Sequence, residues 1–436
     1  MTLKDLRGND FMKVLVVSHT CLNTHNNMGR TLLSLFSAFD KSEICQLYLY
    51  PMLPDADACS SYYRITDKEV LKGCLKRKVN GREIGENEID TSTHNLFENE
   101  DDKKLYRNKR NKSSICVLLR DLMWKLSPWY NKNLVSWIER EKPTCIFVAP
   151  GIPKLLYDIA LKISREFNLP IITYICDDFY FLDDHTAIID KIRQKLMMKK
   201  MDELMGNTSR IVAICDEISV RYENHFDVPS TTIMTGSGYE LSSAPSVTPD
   251  PKVLNYMGNI NYNRFLSLAD IGRALDELND EYNEDYRLNI YTVEDDEKIL
   301  ADLECIKSVN LCGFVTGSEF ESLFKNSHVL VHTESFDEFY VKLTKNSVST
   351  KIADCLASGI PLFAYGPEDI ASMGHLIRND CAVIVTDKAQ LKNTLYNLLK
   401  DVDLRREKAQ KGLEVAKRCH CAKIQSEKLK SIVEKM

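Results

Sequence analysis

Long hydrophobic runs are missing from this chain of 436 residues. No stretch approaches the roughly 20 consecutive apolar residues that a membrane-spanning helix needs. Residues 1–10 are polar and lack the apolar core of a signal peptide. We therefore expect a cytoplasmic protein without a secretory leader or a membrane-spanning segment.

An excess of positive charge and a cysteine-based metal motif are missing as well. The formal net charge of −6 argues against a nucleic-acid-binding protein. The 14 cysteines are scattered, and most lie in apolar runs, which is typical of buried, reduced thiols in a cytosolic protein. Cys419 and Cys421 flank His420 without Cys-x-x-Cys spacing, and adjacent residues of a helix point about 100° apart. We expect no metal ion there.

Two domains are expected, because a single hydrophobic core rarely serves a chain of this length. Apolar runs bounded by Pro, Gly or Asp alternate with helical patterns from end to end, which predicts doubly wound parallel α/β sheets. The predicted strands of the first half are residues 12–18, 145–149, 171–176, 211–214 and 232–235.

A proline-rich stretch divides the chain. Residues 242–251 contain three prolines, which suit neither a helix interior nor a central strand. We predict a linker there, between a domain at 1–241 and a domain at 252–415, with a C-terminal helix at 416–436. The predicted strands of the second domain are residues 253–257, 288–292, 309–312, 329–332, 362–364 and 382–385.

Residues 346–367 carry the most informative motif. They predict a polar loop, a short helix, a tight turn and a buried strand. Ser349, Thr350 and Lys351 stand at the start of the helix, whose unpaired backbone N–H groups and partial positive charge suit a phosphate. Asp354 lies one turn further on the same side, where a carboxylate can hold sugar hydroxyls.

This motif, with Glu334-Ser335-Phe336 upstream of it, resembles the donor-nucleotide site of GT-B glycosyltransferases, especially those similar to glycosyltransferase family 4. The resemblance implies the GT-B fold, in which two Rossmann-like doubly wound domains face a central cleft. It also implies that the C-terminal helix packs back on the N-terminal domain.

The resemblance assigns further donor-binding residues in the second domain. Gly258 and Arg264 follow its first strand, where relatives hold the donor phosphates, and Phe314 stands where relatives contact the nucleobase. Glu334 matches the first glutamate of the family's Glu-x7-Glu motif, which faces the donor sugar. Asp354 stands at the place of the second, which faces the ribose. Here 19 residues separate the two, so we expect an inserted loop.

In the first domain, Gly29 resembles the glycine loop that faces the donor phosphates. Asp177 and Asp178 follow a predicted strand, at the edge of a parallel sheet that borders the ligand crevice. We predict that they orient the acceptor hydroxyl or take its proton; a pair of helix caps is the alternative. No Asp-x-Asp stands in the setting that metal-dependent GT-A enzymes use. Arg264 and Lys351 can neutralise the diphosphate instead of a metal.

A second feature points towards membranes. Residues 103–112 are strongly basic, and a helix predicted over 115–126 has apolar residues on one face. Trp124, Trp129 and Trp137, the three tryptophans of the chain, lie within 14 positions. A basic stretch beside a tryptophan-bearing amphipathic helix suits an anionic membrane surface. A solvated loop followed by a core-packing helix is the alternative.

We therefore predict a retaining, metal-independent glycosyltransferase without a further cofactor. It would move a sugar from a nucleotide-sugar donor to a glycan or lipid-linked acceptor in the synthesis of a surface polysaccharide, such as capsule, O-antigen or exopolysaccharide. One alternative is a nucleotide-sugar epimerase of the same fold, with acid–base groups from Asp177, Asp178 or Glu334. Another is a non-catalytic nucleotide-binding partner subunit.

Overall fold

The computed structural model describes residues 12–24, 26–76, 81–89, 113–182, 187–294, 296–315, 322–324 and 326–436. Within them the chain forms two compact units. The N-terminal unit extends to Met234 and also includes Ala422–Met436, and the C-terminal unit is Thr235–Cys421. The basic stretch predicted at 103–112 lies outside the described residues.

Strands and helices alternate through both units. The strands are β1 (Val14–Ser18), β2 (Ile44–Tyr48), β3 (Ser61–Arg64), β4 (Arg82–Ile84), β5 (Cys145–Val148), β6 (Ile171–Ile175), β7 (Thr208–Ala213), β8 (Ser230–Thr232), β9 (Val253–Met257), β10 (Arg287–Tyr291), β11 (Val309–Gly313), β12 (Val329–Thr333), β13 (Leu362–Tyr365) and β14 (Val383–Val385). The α-helices are α1 (Asn27–Leu35), α2 (Asp67–Lys76), α3 (Ser114–Leu126), α4 (Lys132–Glu141), α5 (Leu155–Phe167), α6 (Ile188–Met205), α7 (Asp216–Phe226), α8 (Arg264–Tyr282), α9 (Glu297–Glu304), α10 (Glu338–Thr344), α11 (Lys351–Ala357), α12 (Ala371–Asn379), α13 (Leu391–Lys400), α14 (Val402–Cys419) and α15 (Ala422–Val433). None of these helices is long and apolar enough to cross a bilayer.

The N-terminal unit is built on a sheet with the strand order β4-β3-β2-β1-β5-β6-β7-β8. β4 runs antiparallel to β3, and the other neighbours are parallel. β1 reads Val-Leu-Val-Val-Ser and is buried along its whole length, as a strand covered on both faces should be. The order of the strands reverses between β1 and β5, which is where an open α/β sheet binds its ligands.

The C-terminal unit is built on a parallel sheet with the order β11-β10-β9-β12-β13-β14. β9 pairs with β10 over five positions, but its register with β12 covers only Leu254 opposite Val329 and Asn255 opposite Leu330. The two strands therefore separate towards their carboxyl ends, at the point where the strand order reverses. The predicted α/β class with two doubly wound parallel sheets is confirmed.

The proline-rich stretch at 242–251 packs within the C-terminal unit. The backbone N–H of Ser242 donates to the Ala357 carbonyl at 2.8 Å. The fully buried guanidinium of Arg405 donates to the Pro249 carbonyl at 2.8 Å. These contacts explain why the compact units divide at Met234 and Thr235, ahead of the prolines.

The C-terminal helix α15 packs against α1 in the N-terminal unit. The backbone N–H of Ala38 donates to the Ser426 hydroxyl at 2.8 Å, and Lys430 pairs with Glu43 at 2.7 Å. Leu429 is fully buried in the core beneath β1. The end of the chain thus completes the core formed by its beginning.

The predicted tryptophan-bearing helix is confirmed as α3. Its tryptophan faces the core, however, and not the solvent, where a membrane anchor would have to lie. Trp124 and Trp137 are buried, and their indole N–H groups donate to Asp67 and Ser61, each at 2.7 Å. The apolar row of α3 is exposed instead, with Leu126 70% accessible. Trp124 and Trp137 therefore stabilise the core, and the leucines of α3 face solvent.

Candidate functional site

A cavity lies in the C-terminal unit where β9 and β12 separate, beside helix α11. Its lining combines two charged side chains and three other polar ones with apolar walls. The lining residues are Asn255, Tyr256, Met257, Phe324, Leu330, Val331, His332, Lys351, Asp354 and Cys355. Open α/β sheets bind ligands in this crevice at the carboxyl ends of the strands. We take this cavity and its rim as the candidate site.

Lys351 and Gly258 meet at this cavity. Lys351 is the first residue of α11, and its Nζ lies 3.5 Å from the Tyr256 hydroxyl and 5.0 Å from the centre of the Tyr256 ring. Gly258 has φ +153°, and a Cβ atom built on it would come within 1.9 Å of Lys351 Nζ. Glycine at this position therefore leaves room for the ammonium group beside the backbone that ends β9. The structure brings together two residues that the sequence assigned to the donor phosphates.

Arg264 and Glu334 form a buried ion pair on the same side of the sheet. The Nε and Nη2 atoms of Arg264 donate to Glu334 Oε2 at 3.0 and 2.8 Å. The Glu334 side chain is only 2% exposed, and His332 Nε2 lies 3.3 Å from its other oxygen. Burial raises the pKa of Glu334, but the neighbouring His332 and the charge of Arg264 outweigh it and lower the pKa to about 2.

The ion pair has two consequences for the site. Glu334 stays ionised at neutral pH, and it fixes the direction in which the guanidinium of Arg264 points. Burial also lowers the pKa of Arg264, yet the negative charge of Glu334 more than compensates and raises it. Arg264 is therefore a permanently charged, oriented group at the start of α8, directly after the loop that follows β9.

Asp354 is buried and has backbone and hydroxyl partners from the start of the C-terminal unit. Its Oδ1 accepts from the Ser237 hydroxyl at 2.9 Å and from the Gly238 backbone N–H at 3.0 Å. The sequence prediction did not include Ser237 and Gly238. Their signal is the Gly236-Ser237-Gly238 loop that follows β8, since such loops let the backbone approach a buried group closely.

The remaining donor-binding predictions fall at two places. Ser349 and Thr350 directly precede α11, and the backbone N–H of Ser349 donates to the Ser372 hydroxyl at 2.9 Å. Phe314 follows β11, which lies at the edge of the sheet two strands from β9, and it is 66% exposed. The prediction that Phe314 contacts a nucleobase stays a prediction.

Gly29, Asp177 and Asp178 belong to the N-terminal unit. A Cβ atom on Gly29 would come within 2.2 Å of the buried Asn23 side chain, so glycine allows α1 to start close to the loop after β1. Asp177 and Asp178 follow β6, as predicted, and Asp178 accepts from Arg221 at 2.8 Å. Arg221 thus neutralises one of the two carboxylates.

His19 is a residue of the N-terminal unit that sequence reasoning left unassigned. It follows β1 at the point where the strand order reverses, and its ring lies 5.8 Å from that of Tyr50. Burial lowers the pKa of His19 to about 3, so its imidazole is neutral at pH 7. A polar residue directly after the buried run of β1 was the available signal. Among the described residues, no three His, Cys, Asp or Glu side chains are arranged to hold a metal ion.

The chain matches no protein-family model and no curated protein sequence, but it matches solved structures over 97–98% of its length. Anabaena Alr3699/HepE, in complex with UDP and glucose, has a TM-score of 0.62 at 10% identity, with 98% of this chain and 100% of that one covered. Sucrose-phosphate synthase from Thermosynechococcus elongatus has a TM-score of 0.60 at 11% identity, with 97% and 98% covered. The α,α-trehalose 6-phosphate synthase from Burkholderia multivorans has a TM-score of 0.58 at 10% identity, with 98% and 97% covered. The chain therefore has the fold of GT-B glycosyltransferases.

Proposed function

We propose that this protein is a glycosyltransferase that uses a nucleotide-sugar donor. The observation that carries the proposal is the arrangement around the end of β9, where Gly258 makes room for Lys351 and Arg264 follows on the next helix. Two cationic side chains beside one strand end suit the diphosphate of a nucleotide-sugar. Both can stabilise the negative charge that develops on the diphosphate when its bond to the sugar breaks. Glu334 contributes by orienting Arg264.

The structural neighbours suggest which donor to test first. Alr3699/HepE is described in complex with UDP-glucose, and the trehalose-6-phosphate enzyme of E. coli with UDP-2-fluoro glucose. We propose a UDP-sugar as the donor class. The experiment is an assay of UDP release from UDP-glucose, UDP-galactose and UDP-N-acetylglucosamine, with and without saccharide acceptors. Failure to release UDP or to bind any of these donors would contradict the proposal.

We further propose a glycan or lipid-linked acceptor, transfer with retention of configuration, and a role in surface-polysaccharide synthesis at the cytoplasmic side of a membrane. Asp177 and Asp178 remain the proposed residues for the acceptor hydroxyl. The epimerase alternative loses one of its three candidate acid–base groups, because such a group must titrate near neutral pH. The neighbouring His332 and the charge of Arg264 keep the pKa of Glu334 at about 2, so this carboxylate is a poor proton donor near neutral pH.

Replacement of Lys351 by alanine should weaken UDP binding at least tenfold. A hydrogen bond to a charged group contributes roughly 1.5–3 kcal/mol, and a tenfold change corresponds to about 1.4 kcal/mol. Calorimetric titration with UDP measures the effect, and circular dichroism checks the fold. Lys307→Ala, at an exposed lysine of the same unit, is the matched control and should bind like the parent. Equal affinities of the parent and Lys351→Ala for UDP would contradict the assignment of Lys351 to the diphosphate.

Sugar transfer should not depend on a divalent ion. Arg264 and Lys351 are proposed to supply the positive charge that a metal supplies in other transferases. UDP release measured in excess EDTA should stay within about twofold of the rate with Mg²⁺, a change of less than about 0.4 kcal/mol. Loss of activity in EDTA, followed by recovery with Mg²⁺ or Mn²⁺, would show that these two residues do not have that role.

A further inference from the structure

Helices α3 and α6 of the N-terminal unit pack against each other and expose large apolar side chains. We call this surface the α3–α6 face. On α3 it consists of Ile115, Leu119, Leu122, Lys125 and Leu126. On α6 it consists of Ile188, Lys191, Ile192, Lys195, Leu196 and Lys199.

The apolar side chains of the α3–α6 face do not contribute to the hydrophobic core. Both helices already bury a separate row, which includes Val117 and Trp124 on α3 and Met197 and Met201 on α6. The exposed apolar residues range from 39% accessible at Leu196 to 78% at Ile188. Exposed apolar side chains that cluster on neighbouring elements mark an interaction surface rather than random exposure.

The charge of the α3–α6 face is opposite to that of the whole protein. The exposed charged side chains of the two helices are four lysines and Asp202, which gives +3 (4 − 1), whereas the chain carries −6. Asp202 accepts a hydrogen bond from the Tyr180 hydroxyl at 2.6 Å. Within the described part of the chain, Lys191, Lys195 and Lys199 take part in none of the ion pairs, whereas the neighbouring Lys200 pairs with Asp158 at 2.6 Å.

The geometry of α6 combines the two features on one side. At 100° per residue, the exposed isoleucines, leucine and lysines between 188 and 199 fall within an arc of about 140°. Lysine side chains can bury their methylene stems and keep the ammonium group at the polar boundary. A helix of this kind lies in the plane of a membrane interface, with its apolar residues towards the acyl chains and its lysines among the headgroups.

We propose that the α3–α6 face binds the surface of a membrane that contains anionic phospholipids. The positive charge of the face selects this occupant over a neutral surface, and the lysine spacing supplies contacts to several headgroups at once. Membrane binding would bring the proposed glycosyltransferase to the surface where a lipid-linked acceptor lies. Only this link to an acceptor rests on the proposed function. The α3–α6 face takes the role that the sequence suggested for the tryptophans, because the structure buries Trp124 and Trp137 in the core.

Co-sedimentation of the full-length protein with vesicles tests the proposal. Vesicles of phosphatidylglycerol and phosphatidylcholine in equal parts should bind the protein, and vesicles of phosphatidylcholine alone should bind it weakly. Raising the salt concentration should reduce binding, because salt screens charges at a surface. Absence of binding to the anionic vesicles would overturn the proposal.

Two sets of substitutions separate the contributions. Lys191→Gln, Lys195→Gln and Lys199→Gln together should lower the partition coefficient about a hundredfold at low salt, since each lysine contributes about fivefold. The matched control is the exposed lysine triple Lys298→Gln, Lys417→Gln and Lys423→Gln, which should bind like the parent.

A second triple variant addresses the apolar contribution. Leu119→Gln, Ile188→Gln and Ile192→Gln should lower the partition coefficient at least tenfold, against the exposed control triple Val220→Gln, Val293→Gln and Ile377→Gln. Equal sedimentation of either test variant and the parent would contradict the proposal. A second outcome would also contradict the proposal: the parent is a dimer, the apolar triple variant is a monomer, and both bind vesicles equally. The face would then be a protein–protein interface.

Calorimetric titration of the same proteins with UDP keeps the two proposals apart. The face variants should bind UDP like the parent, because the candidate donor site belongs to the other unit. If the parent binds vesicles but no nucleotide, the membrane-binding proposal is supported and the proposed function is refuted. If the parent binds nucleotide but no vesicles, the proposed function is supported and the membrane-binding proposal is refuted.

Discussion

Arg264→Ala should destabilise the C-terminal unit by about 3–5 kcal/mol, because removal of one partner leaves a buried charge without compensation. The Glu334 carboxylate is 2% exposed and loses both of its bonds to the guanidinium in this variant. His332, 3.3 Å from the other oxygen, remains as its neighbour. The stability of the C-terminal unit therefore depends on the same ion pair that orients Arg264 for the proposed donor.

Urea unfolding can measure this effect with an internal reference. All three tryptophans of the chain lie between residues 124 and 137, in the N-terminal unit. Tryptophan fluorescence thus reports on the N-terminal unit, whereas far-ultraviolet circular dichroism reports on both. In Arg264→Ala we expect the circular dichroism transition to move to lower urea concentration, while the midpoint of the fluorescence transition stays unchanged.

Two further variants test the physical reason. Arg273→Ala removes a partner from an ion pair with Asp270 in which the arginine is 58% exposed, and it should cost less than about 1 kcal/mol. Arg264→Met combined with Glu334→Gln removes both charges and should recover most of the lost stability, while UDP binding stays weak. A loss below about 1 kcal/mol for Arg264→Ala would contradict the account of this pair.

Acidification should destabilise the C-terminal unit through His375 and His420. Their Nε2 atoms lie 3.1 Å apart in a buried site, and His420 Nδ1 lies 3.0 Å from the Thr235 carbonyl. A carbonyl only accepts, so His420 carries its proton on Nδ1, and His375 must donate from Nε2. His420 is therefore neutral in the folded protein. Burial, then the neighbouring His420, lowers the pKa of His375 to about 3, and burial lowers the pKa of His420.

The direction of the pH effect follows from these lowered values. The unfolded chain takes up protons on histidine near pH 6.5, whereas the folded His375 does so only near pH 3. Stability is complete above about pH 6.5 and is lost progressively as the pH falls towards 3. At pH 5 a histidine that stays neutral in the folded state costs about 2 kcal/mol relative to pH 7.5.

Substitution of His375 isolates this contribution. In His375→Gln the amide can still donate to His420, but it does not titrate. The change in unfolding free energy between pH 7.5 and 5 should be smaller than in the parent by about 2 kcal/mol. His225→Gln, at an exposed histidine, is the control and should leave the pH dependence as it is. Identical pH profiles of the parent and His375→Gln would show that the pair is not held neutral.

The sheets were largely predictable from the sequence, because fully buried parallel strands read as unbroken apolar runs. Val14–Ser18 and Leu362–Tyr365 are examples, and both form where the runs predict them. β2, β3 and β4 were missed. β3 reads Ser-Tyr-Tyr-Arg, and its Arg64 is buried with a hydrogen bond to the Met52 carbonyl, so its composition carries no apolar signal.

The candidate site was predictable only in part. The motif around Lys351 is local, so the start of α11 could be read from residue order. The ion pair of Arg264 with Glu334 joins residues 70 positions apart, and Asp354 binds a loop more than 100 positions before it. Single-sequence patterns do not specify such distant partners. Periodicity likewise predicted α3 but not that its leucines face solvent, since either face of an amphipathic helix can be covered by another surface.

Hydrogen exchange of the full-length protein with and without UDP tests the central claim most directly, because it locates the nucleotide without substitutions. The account predicts slower exchange in the backbone from the end of β9 to the start of α8, residues 257–264, and around the start of α11, residues 349–354. Helices α3 and α6 should exchange at unchanged rates. Saturating UDP that slows exchange in neither of the first two segments, or only in the N-terminal unit, would contradict the assignment of the donor site.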